Sequence, residues 1–252
     1  MGGQGGVRAN PGAAAGGGAR IGVMGGTFDP VHHGHLAAAS EAGHAFSLDE
    51  VIFVPAGRPW QKDSAVMAPA EDRYQMTVLA TASNPLFSVS RVDIDRPGQT
   101  YTVDTLRDLR AERGPAAEFY FIVGADTASR LRTWRSYEEL FRIAHFIGCN
   151  RAGHRLARDS ADRRIEQVEV PALEISSSMC RERVRAGQPI RYLVPDAVVD
   201  FIADCGLYRA GLVRPRPPAI GVAAEGVAPA PASRGTTAAA QALRRRSAAG
   251  HG

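Results

Sequence analysis

Residues 21–46 read IGVMGGTFDPVHHGHLAAASEAGHAF, and the order of parts within this stretch sets the fold. A short apolar run, Ile21–Met24, ends in two glycines, turns through Thr-Phe-Asp-Pro and three histidines, and enters a helical pattern over 35–46. The apolar run reads as a buried strand, so the corner lies between the carboxyl end of a strand and the first turn of a helix. Unpaired N–H groups at a helix start attract an anion, and Gly25 and Gly26 let backbone approach a ligand closely. Thr27 and Phe28 continue the same loop. His32 and His35 are three apart, share one helix face, and can donate to one phosphate. The spacing matches neither GxGxxG nor GxxxxGK[ST]. A helix cap with an exposed His33 is the plainer alternative. Metal binding is the other, but these histidines lack the i,i+4 spacing and the carboxylate of HExxH and have no cysteine beside them, so no protein metal site is expected.

Outward from the corner, short apolar runs alternate with helical patterns. VIFVP (51–55), residues 87–92, EFYFIVG (118–124) and HFIGC (145–149) read as strands, and 71–82, 103–112, 137–143, 177–186 and 196–204 as helices. Strands apolar throughout, separated by helices, predict an α/β, doubly wound parallel sheet covered on both faces, with a small C-terminal helical part. Ligands of such sheets bind beyond the carboxyl ends of the strands.

The chain has 252 residues, 44% of them hydrophobic, enough for one sizeable core. Residues 1–19, mostly glycine and alanine, predict a disordered leader; 20–209 form the folded unit; 210–252, rich in proline and alanine, predict a disordered tail. The leader lacks the apolar run of a signal or anchor, so no membrane role is expected, and Gly6 stands where a myristoylation motif needs Ser or Thr. A net charge of +4, partly from Arg244–Arg246, is too slight to indicate nucleic-acid binding. Three cysteines with no CxxC pair predict a reducing, cytoplasmic setting.

GGTFDPVHHGH (25–35) is similar to the GxFDPxHxGH signature of the nucleotidyltransferases, and ISSSMCR (175–181) resembles their second signature, ISSTxxR, with Ser178 in place of Thr. VPAGRPWQK (54–62), QTYTVDTL (99–106) and FIVGADTASRLRTW (121–134) resemble segments of the nicotinate mononucleotide adenylyltransferase family. The resemblance covers about Ile21 to Tyr208. It implies a Rossmann-like domain that moves the adenylyl group of ATP onto nicotinate mononucleotide, giving deamido-NAD and pyrophosphate, with Mg2+ accompanying ATP.

By that resemblance, His32, His35, Lys62 and Arg181 are catalytic. Gly25, Gly26, Thr27, Phe28, His32, His35, Ile175, Ser176, Ser177, Ser178 and Arg181 bind ATP, with Ser177 and Ser178 at a helix start. Thr102, Gly124, Asp126 and Trp134 bind the acceptor: Asp126 on a ribose hydroxyl, Trp134 on the pyridine ring, Thr102 at the carboxylate. Lys62 is the only lysine of the chain. Alternatives stay open for three of these: Asp126 as a cap, Trp134 as a core residue, Thr102 as an N-cap. A homo-oligomer is compatible with the pattern. Rival functions are another adenylyltransferase, with nicotinamide mononucleotide or phosphopantetheine as acceptor, and nucleic-acid binding through the arginine-bearing tail.

Overall fold

The computed structural model describes residues 18–59, 68–150 and 163–209. Most of the expected leader, the expected tail and Lys62 lie outside the described residues. Six parallel strands form one sheet: β1 (Arg20–Gly26), β2 (Glu50–Pro55), β3 (Phe87–Val89), β4 (Glu118–Gly124), β5 (His145–Asn150) and β6 (Ile165–Glu169), in the order β3-β2-β1-β4-β5-β6. The helices are α1 (His33–Ala45), α2 (Ala70–Thr81), α3 (Val92–Asp95), α4 (Thr102–Arg113), α5 (Ala125–Ala128), α6 (Tyr137–Ile143), α7 (Ser177–Arg185) and α8 (Asp196–Cys205).

Successive side chains of a strand point to opposite faces, and here both faces are covered. In β4, Phe119, Phe121 and Val123 join one core with Val103, Leu106 and Leu109 of α4 and Leu140 of α6. Tyr120 and Ile122 join the other, with Ala39 and Ala42 of α1, Met76 of α2, and Val198 and Ile202 of α8. That is why the central strands carry no polar alternation. The C-terminal helical part, α7 and α8, belongs to this second core through Cys180, Val198 and Ile202.

One expected element differs and one strand was not expected. The third strand was expected over 87–92, but β3 ends at Val89 and the chain turns into α3 at Val92, where Ser90 Oγ accepts the Val92 N–H at 3.2 Å. A serine hydroxyl that captures a nearby backbone donor competes with the strand ladder. β6 has no counterpart among the expected strands: IEQVE buries only Ile165 and half-buries Val168, as an edge strand with a solvated face does.

Strand order reverses between β1 and β4, so a crevice opens beyond their carboxyl ends. The Gly25–His35 corner leaves β1 there, and the Gly124–Trp134 segment leaves β4 there.

Candidate active site

A cleft of about 470 Å3 lies at this switch point. It is lined by Gly25, Gly26, Thr27, Gly34 and His35 of the corner, by Phe121 and Gly124 of β4, and by Thr100, Thr102, Thr105 and Trp134.

The corner has a demanding backbone. Phe28 takes a left-handed conformation, φ 50°, uncommon for a bulky residue. Its ring folds back over Gly26, where a Cβ would lie 2.8 Å from the Phe28 ring. Glycine at 26 is therefore required by packing within the loop as well as by any ligand, and a side chain at Gly25 would press on Phe121 at 3.1 Å.

His32 is the N-cap of α1. Its backbone N–H donates to His35 Nδ1 at 3.2 Å, and the two rings stack with centroids 3.7 Å apart. Because His35 Nδ1 accepts a hydrogen, the neutral ring carries its proton on Nε2 and presents a donor. The two histidines do not stand equally in the site. His35 lines the cleft, whereas His32 is only 3% exposed and is not among the lining residues.

The second signature docks on the first across 147 to 152 residues of sequence: Ser177 Oγ donates to the Pro30 carbonyl at 2.8 Å, and Arg181 Nη1 donates to the Asp29 carbonyl at 2.8 Å. Ser176, not Ser177 or Ser178, is the N-cap of α7, accepting the Met179 N–H at 3.2 Å. The reason is backbone geometry. Ser176 is extended, φ −130° and ψ 151°, while Ser177 already opens the helix. Ser178 Oγ accepts from Arg181 Nη2. Phe28, Ile175, the three serines and Arg181 are not among the residues that line the cleft. Ile175 is buried in the second core.

Tyr101 is the N-cap of α4, so Thr102 is its first helical residue and lines the cleft. Trp134 stands edge-on to Phe121 with centroids 6.0 Å apart and also lines the cleft. Asp126 falls within α5, next to the lining residues Ala125 and Thr127.

Three groups behind the corner escaped the sequence reading. Arg73 is 1% exposed; its guanidinium donates to the carbonyls of Ala68 (3.1 Å), Thr27 (2.8 Å) and Gly57 (3.1 Å). Burial pulls its pKa below the ordinary arginine value, opposed by Asp29 nearby. Asp29, also 1% exposed, accepts the Ala68 N–H at 3.1 Å and the Tyr208 hydroxyl at 2.7 Å. Burial, and then Asp29, push the Tyr208 hydroxyl well above the usual tyrosine range. Arg73 had a legible signal: it shares the buried stripe of α2 with Met76, Thr77 and Ala80, where a lone arginine is out of place unless its charge is used.

A parallel sheet with a glycine-histidine corner at its switch point and a serine-arginine helix docked against that corner defines a nucleotidyltransferase. The cytidylyltransferase-like family profile accordingly matches residues 23–183. A probable nicotinate-nucleotide adenylyltransferase of Acidothermus cellulolyticus is 59% identical over 197 residues, 76% of this chain and 95% of that protein. One from Streptomyces coelicolor is 60% identical over 187 residues, 74% and 99% of the two chains. The chain belongs to the nicotinate-nucleotide adenylyltransferase family, nucleotidyltransferases of NAD biosynthesis. The Plasmodium falciparum nicotinic acid mononucleotide adenylyltransferase, solved in complex with NaAD, shares the fold at a TM-score of 0.65 with 20% identity, over 75% of this chain and 97% of that one.

Proposed function

We propose that the chain binds ATP and nicotinate mononucleotide at opposite ends of this cleft and joins them by in-line attack of the acceptor's 5′-phosphate on the α-phosphorus, with pyrophosphate leaving. No protein nucleophile is needed; the enzyme positions and neutralises. The observation that carries the reading is His35, which lines the cleft at the anion-binding corner with its ring oriented by the His32 backbone N–H on Nδ1. Charge accumulates on the α-phosphate during transfer, and a donor fixed there before reaction lowers the barrier. His32 holds that ring by stacking and through its backbone N–H.

Gly25, Gly26, Thr27 and Phe28 shape the loop around the triphosphate. Arg181, with guanidinium hydrogens beyond those given to Asp29 and Ser178, grips the β- and γ-phosphates together with the start of α7 at Ile175–Ser178. Lys62 adds a point charge at the reacting phosphates. Thr102 and neighbouring N–H groups take the nicotinate carboxylate, Trp134 stacks on the ring, and Gly124 and Asp126 hold the ribose.

Nucleotidyltransferases generally use a divalent metal with ATP. Among the described residues no group of three His, Cys, Asp or Glu side chains could hold a metal ion. Mg2+ fits this chain as the companion of ATP, held by phosphate oxygens and water, and when bound it neutralises phosphate charge.

Catalysis resides in residues 20–209, so a chain trimmed after 209 keeps full pyrophosphate release. The three cysteines are thiols, and among the described residues no helix is long and apolar enough to cross a membrane; both support a cytoplasmic enzyme. Pyrophosphate release from MgATP, measured with nicotinate mononucleotide, nicotinamide mononucleotide and phosphopantetheine in turn, tests the reading. Fastest release with the first is expected; release with phosphopantetheine alone, or with none, contradicts it.

A further inference from the structure

The acceptor end of the cleft contains a buried acid that the roles above leave unused. Asp93, in α3, lines the same cleft as Thr102 and Trp134 and is 3% exposed. Its Oδ1 accepts the Thr105 hydroxyl at 2.7 Å and Arg96 Nη2 at 2.5 Å. Arg96 turns its Nε–H outward to Asp108 at 2.8 Å, whose side chain is 45% exposed. The backbone that carries the acid is held close to the loop after β2: a Cβ at Gly57 would lie 2.2 Å from the Asp93 main-chain carbonyl oxygen. Burial pushes the Asp93 carboxyl above its ordinary value, with Thr105 and Arg96 opposing that rise.

An uncompensated carboxylate in this cleft would repel a ring that itself carries a carboxylate, and would be indifferent or favourable to a carboxamide. We propose that Arg96 is a specificity-determining positioning residue: by pairing with Asp93 it neutralises the acid at the acceptor end and so lets the cleft take nicotinate mononucleotide in preference to nicotinamide mononucleotide. The inference rests on the acceptor assignment above. It assigns the preference to a charge balance one layer behind the residues that touch the ring.

The two mononucleotides share ribose and phosphate and differ in one ring substituent, so the ratio of their kcat/KM values isolates the effect. For Arg96→Met, KM for nicotinate mononucleotide rises about tenfold or more. KM for nicotinamide mononucleotide, KM for ATP and kcat stay within about threefold. The double variant Asp93→Asn, Arg96→Met removes both buried charges and returns the ratio to near the wild-type value, since the one carboxylate left without its partner, Asp108, is 45% exposed and screened by solvent. Asp93→Asn alone leaves the guanidinium and shifts the ratio about threefold or more toward nicotinate.

A merely structural Arg96 would raise KM for both acceptors and ATP together, and the double variant would not restore the ratio; that result overturns the inference. Thermal unfolding shows whether Arg96→Met folds. If it does not, Asp93→Asn decides, and an unchanged ratio in that variant overturns the inference equally. Wild-type protein that adenylylates neither mononucleotide contradicts the proposed reaction itself, whereas an active wild type with variants of unchanged ratio contradicts this inference alone.

Discussion

At the phosphate corner the charges that hold the loop are sunk in the protein, with Arg73 and Asp29 each 1% exposed, whereas at the acceptor end the arginine–carboxylate groups reach the surface, Arg96 with 20% and Asp108 with 45% of the side chain exposed. The difference follows from what each end has to recognise. In the proposed reading a triphosphate is cradled by main-chain N–H groups of residues 25–35, whose shape Arg73 fixes by capturing the carbonyls of Thr27, Gly57 and Ala68. In the same reading the acceptor end presents side chains, Thr102 and Trp134 among them, and its charges set preference more than shape. Buried ions are tolerated only while every bond is kept, so the corner should fail abruptly and the acceptor end by degrees.

That contrast can be broken at four places, in order of expected effect. Arg73→Met orphans three carbonyls and leaves Asp29 short of a neighbouring cation; equilibrium denaturation should show a loss of about 3–5 kcal/mol. A loss below about 1 kcal/mol would mean the corner keeps its shape without this network. His35→Ala should lower kcat about a hundredfold or more with the fold intact, as removal of one transition-state donor does; near-normal turnover takes His35 out of the reaction. For Trp134→Ala, steady-state kinetics should show KM for the mononucleotide raised about tenfold and KM for ATP little changed. Equal rises would make Trp134 a core residue alone.

The smallest effect is at Tyr208. Losing its hydroxyl bond to Asp29 in Tyr208→Phe should cost about 1 kcal/mol. The sign with pH follows from its raised pKa. The stabilising contribution is fully present below the ordinary tyrosine value of about 10 and declines as pH rises above it, because the unfolded chain loses the proton first. Wild type should therefore lose stability above about pH 10 more steeply than Tyr208→Phe. Parallel curves would show that Tyr208 is not held protonated in the fold.

Most of the sheet was legible because both of its faces are buried: EFYFIVG and HFIGC carry a strand signal that needs no context. Ile165–Glu169 was not, since an edge strand with polar side chains looks like loop until its partner β5 is known. The site divides the same way. The two signatures could be read as short strings, and their meeting through Ser177 and Pro30 was implied by their joint membership of one site. The helix cap falls at Ser176, just ahead of the Ser177 and Ser178 that the sequence puts at the helix start, because three successive serines are equivalent until backbone angles distinguish them. The unequal standing of His32 and His35 turns on ring stacking, and the Asp29–Tyr208 bond spans 179 residues; neither leaves a local pattern.

The most direct measurement is a crystal structure of the protein with a non-hydrolysable ATP analogue. The account predicts the α-phosphate at the Gly25–His35 corner, within hydrogen-bond distance of His35 Nε2, about 2.7–3.2 Å. Phosphates seated elsewhere in the cleft, with the His35 ring turned away from them, would contradict it.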